Sequence, residues 1–386
     1  MTSLRDLFLL DPDVIFLNHG SFGATPRPVF NVYQEWQRRL ERQPVLFLGR
    51  EISEHLADAR GVLAGTLGAS PDDLVFVPNA TFGVNVIARS LKLGPGDEVL
   101  TSDHEYGACD KTWTFICRKT GASYRHQAIP LPVASGDEII ERFWRGVTAL
   151  TKVIFLSHIT SPTALRLPIE GICKKAREAG ILTVIDGAHA PGQIPLDLEG
   201  IGADFYVGNL HKWALSPKGA GFLYARREMQ PRVEPLVVSW GWTEEWQSSA
   251  DASFVDLLEW RGTVDPSAAL SVPAAIGFQE QHGWPAVIER CHAMAREAML
   301  EICDLTGLPP LYPADAGLFR QLVAAPLPPV PDLVAFQAQL YDEYRIEIPC
   351  IEWNGRPLIR LSVQGYNSRS DIDRLLSALA VLLPKR

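Results

Sequence analysis

Short strand-like segments alternate with longer amphipathic segments through the first two thirds of the chain. The strand-like segments, most of them rich in Val, Ile, Leu and Phe, cover residues 74–77, 98–101, 123–126, 153–156, 181–185, 204–208 and 221–224. Strands that alternate with helices favour a mostly parallel sheet with helices on both faces. The pattern therefore predicts an α/β domain built around a sheet of seven strands.

The pattern changes near residue 265. Helical periodicity extends from about 266 to 283 and again from about 285 to 305, and mixed elements typical of a small α+β domain follow. Because proline cannot continue a helix or a central strand, the proline-rich stretch 325–331 predicts a connection between elements. We expect residues 1–18 to form an arm across the small domain or a partner subunit, 19–265 a large domain and 266–386 a small C-terminal domain.

Composition narrows the class of protein. The 386 residues carry a formal net charge of −9 without long charged runs, which argues against a nucleic-acid or anionic-membrane partner. No apolar stretch is long enough for a membrane span, and the N-terminus lacks the features of a signal peptide, so we expect a cytoplasmic protein. The cysteines have no metal-type spacing and are predicted to be reduced, with no metal site; they are Cys109, Cys117, Cys173, Cys291, Cys303 and Cys350.

Two predicted strands are followed by residues with a common chemistry. Asp186 follows the apolar run 181–185, and Lys212 follows the strand 204–208. Open α/β sheets bind ligands at the carboxyl ends of their strands. A carboxylate there can keep a pyridinium nitrogen protonated, and a lysine can form a Schiff base with an aldehyde cofactor. The pair indicates pyridoxal 5′-phosphate chemistry, whereas either residue alone could be a helix cap or a solvated charge.

Eight segments, in order along the chain, resemble the class V aminotransferases of the fold-type I pyridoxal phosphate enzymes, and most closely their isopenicillin N epimerase-like branch. They are residues 16–23, 79–85, 103–106, 158–163, 184–189, 208–213, 259–265 and 360–367. The resemblance implies a fold-type I transferase with a mostly parallel seven-stranded sheet in the large domain and a smaller α+β C-terminal domain. It also implies pyridoxal 5′-phosphate as the cofactor.

The phosphate of that cofactor should lie at the start of a helix. Ala80 and Thr81 follow a strand and open a helix, where free N–H groups and the Thr81 hydroxyl would face an anion. The resemblance adds Asn209 and His211 to the phosphate side. It also implies that Thr263 reaches the phosphate of a neighbouring subunit, which requires a homodimer with shared active sites.

The resemblance assigns further residues to the cofactor ring. His104 would stack on the ring face opposite Lys212, and its position after the strand 98–101 agrees with that role. His189 would contact the phenolic oxygen of the ring, a task that Thr160 and Ser161 could share. Hydrogen bonds from these groups would tune how strongly the ring accepts electrons.

Arg360 is the candidate ligand for the carboxylate of an amino-acid-type substrate. A guanidinium grips a carboxylate with two parallel hydrogen bonds and so fixes the orientation of Cα. Lys212, released as an amine, could then take the α-proton. His19 is expected to line the substrate entrance.

These motifs leave the reaction open. We expect an isopenicillin N epimerase-like enzyme that acts at the α-carbon, as an epimerase or an aminotransferase. The alternatives are a cysteine desulfurase or C–S lyase and, from another class, a non-catalytic cofactor-binding regulator. Cys350 could be a nucleophile, but a packed thiol is the favoured interpretation. An aromatic-rich segment containing Trp240, Trp242 and Trp246 could shape the substrate pocket or a subunit contact.

Overall fold

The computed structural model describes residues 4–244 and 253–383, and the strands of these residues form three sheets. The strands are β1 (Ile15–Phe16), β2 (Leu74–Val77), β3 (Glu98–Ser102), β4 (Ser123–Gln127), β5 (Thr151–Ser157), β6 (Leu182–Asp186), β7 (Phe205–Asn209), β8 (Gly221–Ala225), β9 (Leu322–Pro326), β10 (Ile346–Glu347), β11 (Cys350–Trp353) and β12 (Arg356–Ser362). The main sheet has the order β2-β8-β7-β6-β5-β3-β4, and only β8 runs antiparallel to its neighbours. The predicted mostly parallel sheet of seven strands is therefore confirmed.

Helices cover this sheet and complete the smaller C-terminal unit. They are α1 (His19–Phe22), α2 (Arg27–Arg42), α3 (Pro44–Leu46), α4 (Ile52–Leu67), α5 (Ala80–Ser90), α6 (Gly107–Thr120), α7 (Gly136–Trp144), α8 (Ile169–Glu178), α9 (Leu198–Ile201), α10 (Phe254–Glu259), α11 (Ser267–Leu270), α12 (Val272–Gln281), α13 (Trp284–Thr306), α14 (Leu333–Tyr344) and α15 (Arg369–Leu382). Among the described residues, no helix is both long and apolar enough to cross a membrane.

Burial explains why the strands of the main sheet are so apolar. Every residue of β2, β3, β7 and β8 is buried, as expected when helices cover both faces of a sheet. The register aligns the carboxyl ends of neighbouring strands, since Ser157 of β5 pairs with Asp186 of β6. The loops that follow β3, β5, β6 and β7 therefore meet at one edge of the sheet.

Two sequence expectations in the C-terminal third need correction. The segment 266–283 is not one helix, because the chain breaks at Ser271 between α11 and α12, and Pro273 in the first turn of α12 cannot donate the backbone hydrogen bond of a continuous helix. The proline-rich stretch is not wholly a connection, because Ala325 and Pro326 belong to β9. β9 is an edge strand, where a missing N–H is tolerated. The predicted helix 285–305 is confirmed as α13.

The N-terminal residues lie on the C-terminal unit of the same chain. β1 pairs in parallel with β10, and the Phe8 ring packs edge-on against the rings of Phe278 and Tyr366. α11, which follows residue 265, packs on α2 and α4. The domain boundaries at residues 18 and 265 stay predictions.

Two helical glycines give a matched test of this packing. A Cβ at Gly83 in α5 would lie 2.7 Å from Cγ1 of Val207 in β7, whereas a Cβ at Gly61 in α4 would meet nothing within 4 Å. We expect Gly83→Ala to lower the free energy of unfolding by about 1 kcal/mol or more through overpacking. Gly61→Ala should raise it by about 0.4–1 kcal/mol. Urea denaturation of both variants checks this, and a stabilised Gly83→Ala variant would contradict the close contact of α5 with β7.

Candidate active site

A cavity of about 210 Å³ lies where the carboxyl ends of the parallel strands meet. Its walls come from the start of α5, the loops after β3, β5, β6 and β7, and the α1 segment. A larger groove of about 870 Å³ lies between α4, α12 and α13, but its lining is mostly apolar. The smaller cavity brings together polar and titratable side chains that the sequence analysis singled out, and it is the candidate active site.

The start of α5 forms one end of the cavity. Asn79 caps the helix by accepting a hydrogen bond from Phe82 N, and Asn209 Oδ1 accepts one from Ala80 N at 2.8 Å. Ala80, Thr81 and Asn209 all line the cavity, as the sequence predicts. The positive end of the helix dipole attracts an anion here, and the Thr81 hydroxyl can donate a hydrogen bond to it. The arrangement therefore fits a phosphate group.

The other two predicted phosphate-side residues differ in position. His211 lines the cavity next to Lys212, and burial lowers its pKa to about 4, so its ring is neutral. Thr263 is exposed in the loop after α10 and does not line the cavity. Its contact with a neighbouring subunit stays a prediction.

Asp186 forms the floor of the cavity at the end of β6. Its Oδ1 accepts a hydrogen bond from Ala188 N at 2.9 Å, and the Cys109 thiol lies 3.5 Å from Oδ2. Burial raises the pKa of this carboxyl, while the Ala188 N–H and the charge of Lys212 act in the opposite direction. A buried carboxylate needs a cationic partner, and a protonated ring nitrogen would supply one.

Lys212 is part of a short hydrogen-bonded chain. Its Nζ lies 3.3 Å from Nε2 of His189, and Nε1 of the buried Trp213 lies 3.3 Å from Nδ1 of the same ring. Because an indole N–H only donates, Nδ1 accepts, and the neutral imidazole carries its proton on Nε2. Burial lowers the pKa of His189 well below its ordinary value, which keeps the ring neutral. Its Nε2–H therefore points toward Lys212 and the cavity.

The amine of Lys212 is poised to lose its proton near neutral pH. Burial lowers its pKa to about 8, and the positive charge of Arg360 adds to this effect. Asp186 opposes the shift. A lysine with such a pKa has a substantial neutral fraction at neutral pH, as a nucleophile or a general base requires.

Arg360, on β12 of the C-terminal unit, does not itself line the cavity, but it hydrogen-bonds Ser161 and Ser21, which do. Its Nη1 donates to the carbonyl oxygen and the hydroxyl of Ser161 at 2.7 and 3.0 Å, and its Nη2 donates to Ser21 Oγ at 3.1 Å. Its Nε is buried and has no hydrogen-bond partner among the described residues. Burial lowers its pKa to about 10, as expected for a guanidinium without a counter-ion. These features fit a binding site for a carboxylate.

The prediction for His104 requires a correction. One of its ring nitrogens lies 2.7 Å from the Thr163 hydroxyl, the other bonds a backbone carbonyl, and the ring packs on Trp353. The side chain is fully buried behind the wall, and Tyr106 lines the cavity in its place.

Thr160 is also turned away, because its hydroxyl bonds Thr163. Ser161, the next residue, does line the cavity.

His19 does not line the substrate entrance, contrary to expectation. It is fully buried, and its Nε2–H donates to the carbonyl oxygen of Lys212 at 3.0 Å. Its Nδ1 accepts from the Tyr366 hydroxyl at 3.0 Å. His19 thus holds the backbone of Lys212 in place, while its neighbours Ser21 and Phe22 line the cavity. The spacing of polar residues along the sequence could not show which of His19, Ser21 and Phe22 faces the cavity.

Comparison with known proteins agrees with this fold. Residues 19–331 match the family model described as Aminotransferase class-V. The chain is 37% identical to isopenicillin N epimerase of Amycolatopsis lactamdurans, over 98% of this chain and 97% of the relative. It is 30% identical to a probable chloroplastic L-cysteine desulfhydrase of Arabidopsis thaliana, over 96% and 83%. The apo cysteine desulfurase of Thermococcus onnurineus NA1 superposes with a TM-score of 0.83 at 20% identity, over 98% and 97%.

The sheet topology and the strand-end aspartate and lysine define an α/β enzyme of fold type I. The chain belongs to the class V aminotransferase family. It is a pyridoxal 5′-phosphate-dependent enzyme.

The hydrogen bond between Trp213 and His189 predicts a fixed tautomer. In the cofactor-free wild-type protein at about pH 9.5, where Lys212 is a neutral amine that can accept a hydrogen bond from Nε2–H, ¹⁵N NMR should show a neutral His189 with its proton on Nε2. Trp213→Phe removes the donor and should give a resonance averaged between the two tautomers. His189→Gln assigns the signal, and Trp36→Phe, on α2, is the control that should leave it unchanged. An unaltered His189 signal in Trp213→Phe would refute the proposed hydrogen bond.

The effect of Arg360 on Lys212 predicts a pH shift. Trace acetylation followed by mass spectrometry should show that Lys212 of the cofactor-free protein titrates near pH 8. Arg360→Met removes a nearby positive charge, so the pKa of Lys212 should rise. For each unit of that rise, acetylation at pH 7 would fall roughly tenfold. Arg320→Met, outside the cavity, should titrate as the wild type does, and equal curves for all three proteins would exclude the coupling.

Proposed function

We propose that this enzyme inverts the configuration at Cα of an amino acid or an amino-acid-derived substrate. The observation that carries the proposal is a lysine in the cavity with a pKa of about 8, together with a buried arginine next to the cavity whose Nε has no hydrogen-bond partner among the described residues. Near full-length similarity to a protein named isopenicillin N epimerase supports inversion as the reaction.

The residues of the cavity would hold the cofactor at four points. The start of α5, with Thr81, binds the phosphate, and Asp186 pairs with the ring nitrogen. His189 directs its Nε2–H at the phenolic oxygen, and Lys212 is the covalent attachment point. Bound pyridoxal phosphate supplies an electron-withdrawing ring that accepts the electron pair of a bond broken at Cα.

Arg360 and Lys212 would then select which bond breaks. Arg360 binds the substrate carboxylate through its unpartnered Nε and a neighbouring nitrogen, which fixes the orientation of Cα. Lys212, as a neutral amine, removes the α-proton. The pKa of about 8 suits this task, because the amine is neutral often enough to accept a proton and basic enough to hold it.

We also propose a homodimer in which Thr263 of each subunit contacts the partner's phosphate site. Large apolar side chains that a single chain leaves in solvent support this arrangement. Phe22, at the cavity, is 73% exposed, Trp240 is 90% exposed and Val264, beside Thr263, is 40% exposed. Trp242 is also exposed, and Trp246 lies outside the described residues.

The free thiols of the cysteines are compatible with a reducing compartment such as the cytoplasm.

A C–S lyase is the second candidate function. Similarity to a protein named as a probable L-cysteine desulfhydrase favours it, and the same lysine could remove the α-proton before a thiol leaves Cβ. A persulfide-forming desulfurase is disfavoured. Cys350 begins the strand β11, where its backbone N–H bonds Gln337, and burial raises the pKa of its thiol to about 12.

Product analysis tests these functions directly. The cofactor-loaded enzyme is incubated with single L-amino acids in D₂O, and inverted product, sulfide and keto acid are each measured. We expect the D-enantiomer with deuterium at Cα, and a loss of about 100-fold or more in Lys212→Ala. Cys350→Ala should react like the wild type. Sulfide release without inversion would show that the enzyme is a lyase and not an epimerase. Formation of keto acid alone would show that it is an aminotransferase.

A further inference from the structure

The strand order places two loops of the cavity on opposite sides. β6 and β5 lie between β7 and β3 in the main sheet. Lys212 follows β7, Tyr106 follows β3 and Asp186 follows β6, and all three side chains line the cavity. A reacting group held over Asp186 therefore has Lys212 on one side and Tyr106 on the other.

The other titratable side chains of the cavity do not occupy the Tyr106 side. His189 lies within 3.3 Å of Lys212 Nζ, and His211 is the adjacent residue in the chain. Asp186 is at the floor, with contacts to both of its oxygens. Among the described residues that line the cavity, Tyr106 is the titratable group that the loop after β3 contributes.

The surroundings of Tyr106 suit a proton donor. Its side chain is 45% exposed, so its hydroxyl can exchange protons with water. That hydroxyl has no hydrogen-bond partner among the described residues, so it is not committed to the scaffold. Tyr106 also lies close enough to Arg360 for their charges to interact. The guanidinium would stabilise the phenolate that forms when the proton leaves.

We propose that Tyr106 is the second acid–base residue of the inversion, on the substrate face opposite Lys212. The inference rests on the proposed epimerase function and deepens it. For one enantiomer, Lys212 takes the α-proton and becomes an ammonium, and Tyr106 donates its proton to the other face of Cα and becomes a phenolate. Solvent then removes the proton from Lys212 and returns one to Tyr106. For the other enantiomer the two residues exchange roles.

Separate measurement of each enantiomer tests this assignment. The wild-type holoenzyme, Tyr106→Phe and the control Tyr341→Phe, whose phenol lies on α14, are incubated in D₂O with one enantiomer at a time. Tyr106→Phe should exchange the α-proton of one enantiomer within about threefold of the wild-type rate. Its inversion in both directions should fall about 100-fold or more. Tyr341→Phe should match the wild type.

A second measurement needs no cofactor. In the cofactor-free protein labelled with [¹³Cζ]tyrosine, acetate serves as a probe for the carboxylate site at Arg360. The Tyr106 resonance, assigned by its absence from Tyr106→Phe, should shift with acetate and should not shift in Arg360→Met. If the chemical shift of Tyr106 in the wild type does not change with acetate, Tyr106 lies away from the substrate site and the inference is overturned.

The outcomes separate the inference from the function on which it rests. If the wild type inverts amino acids and Tyr106→Phe inverts them at the same rate, the inference is wrong and the epimerase function stands. If Tyr106→Phe loses the exchange of both enantiomers together, the phenol has a structural role and the inference is also wrong. If the wild type inverts no amino acid, the function and the inference fall together.

Discussion

Burial of unlike charges at one small cavity is the constraint on which the rest of the site depends. Asp186 and Arg360 are nearly removed from solvent and Lys212 is partly buried, and burial shifts the pKa of each toward its neutral form. None of the three makes a direct ion pair with another, so the charges are held apart by the scaffold. The buried charges of such a site are stabilised most by a bound ligand that carries complementary charges at fixed separations. A molecule with a phosphate, a cationic ring nitrogen and an attached carboxylate meets this requirement.

The N-terminal segment joins the two parts of the molecule at this cavity. Gly20 N donates to Ser362 Oγ on the strand that carries Arg360, so the segment is tied to the C-terminal unit. Gly23 has φ +70°, and a Cβ there would lie 1.9 Å from the carbonyl oxygen of His211. Only glycine permits that approach, because an L-residue would meet both a disfavoured backbone conformation and a backbone atom. The relative position of Arg360 and the lysine loop, residues 210–216, thus depends on a segment remote from both in sequence.

The strand ends could be predicted from the sequence, but the direction of the residues beyond them could not. Asp186 lies on a regular strand, so its position follows from the apolar run that precedes it. His104 and Tyr106 lie two and four residues beyond β3, where the chain turns into α6, and strand alternation no longer decides which side chain faces inward. The hydrogen bond of Trp213 with His189 joins two loops, and no local pattern indicates it. Tertiary contacts of this kind fix tautomers and orientations, and sequence periodicity contains no information about them.

The choice among reactions depends on the side of the cavity opposite the lysine. Proton removal from Cα by Lys212 is common to inversion, transamination and β-elimination, so the well-formed lysine side does not distinguish these reactions. β-Elimination ends when a leaving group departs, and transamination returns the proton to the cofactor. Inversion alone requires a proton for the far face of Cα. A hydroxyl that is open to solvent and free of scaffold hydrogen bonds, within electrostatic range of a guanidinium, meets the last of these requirements.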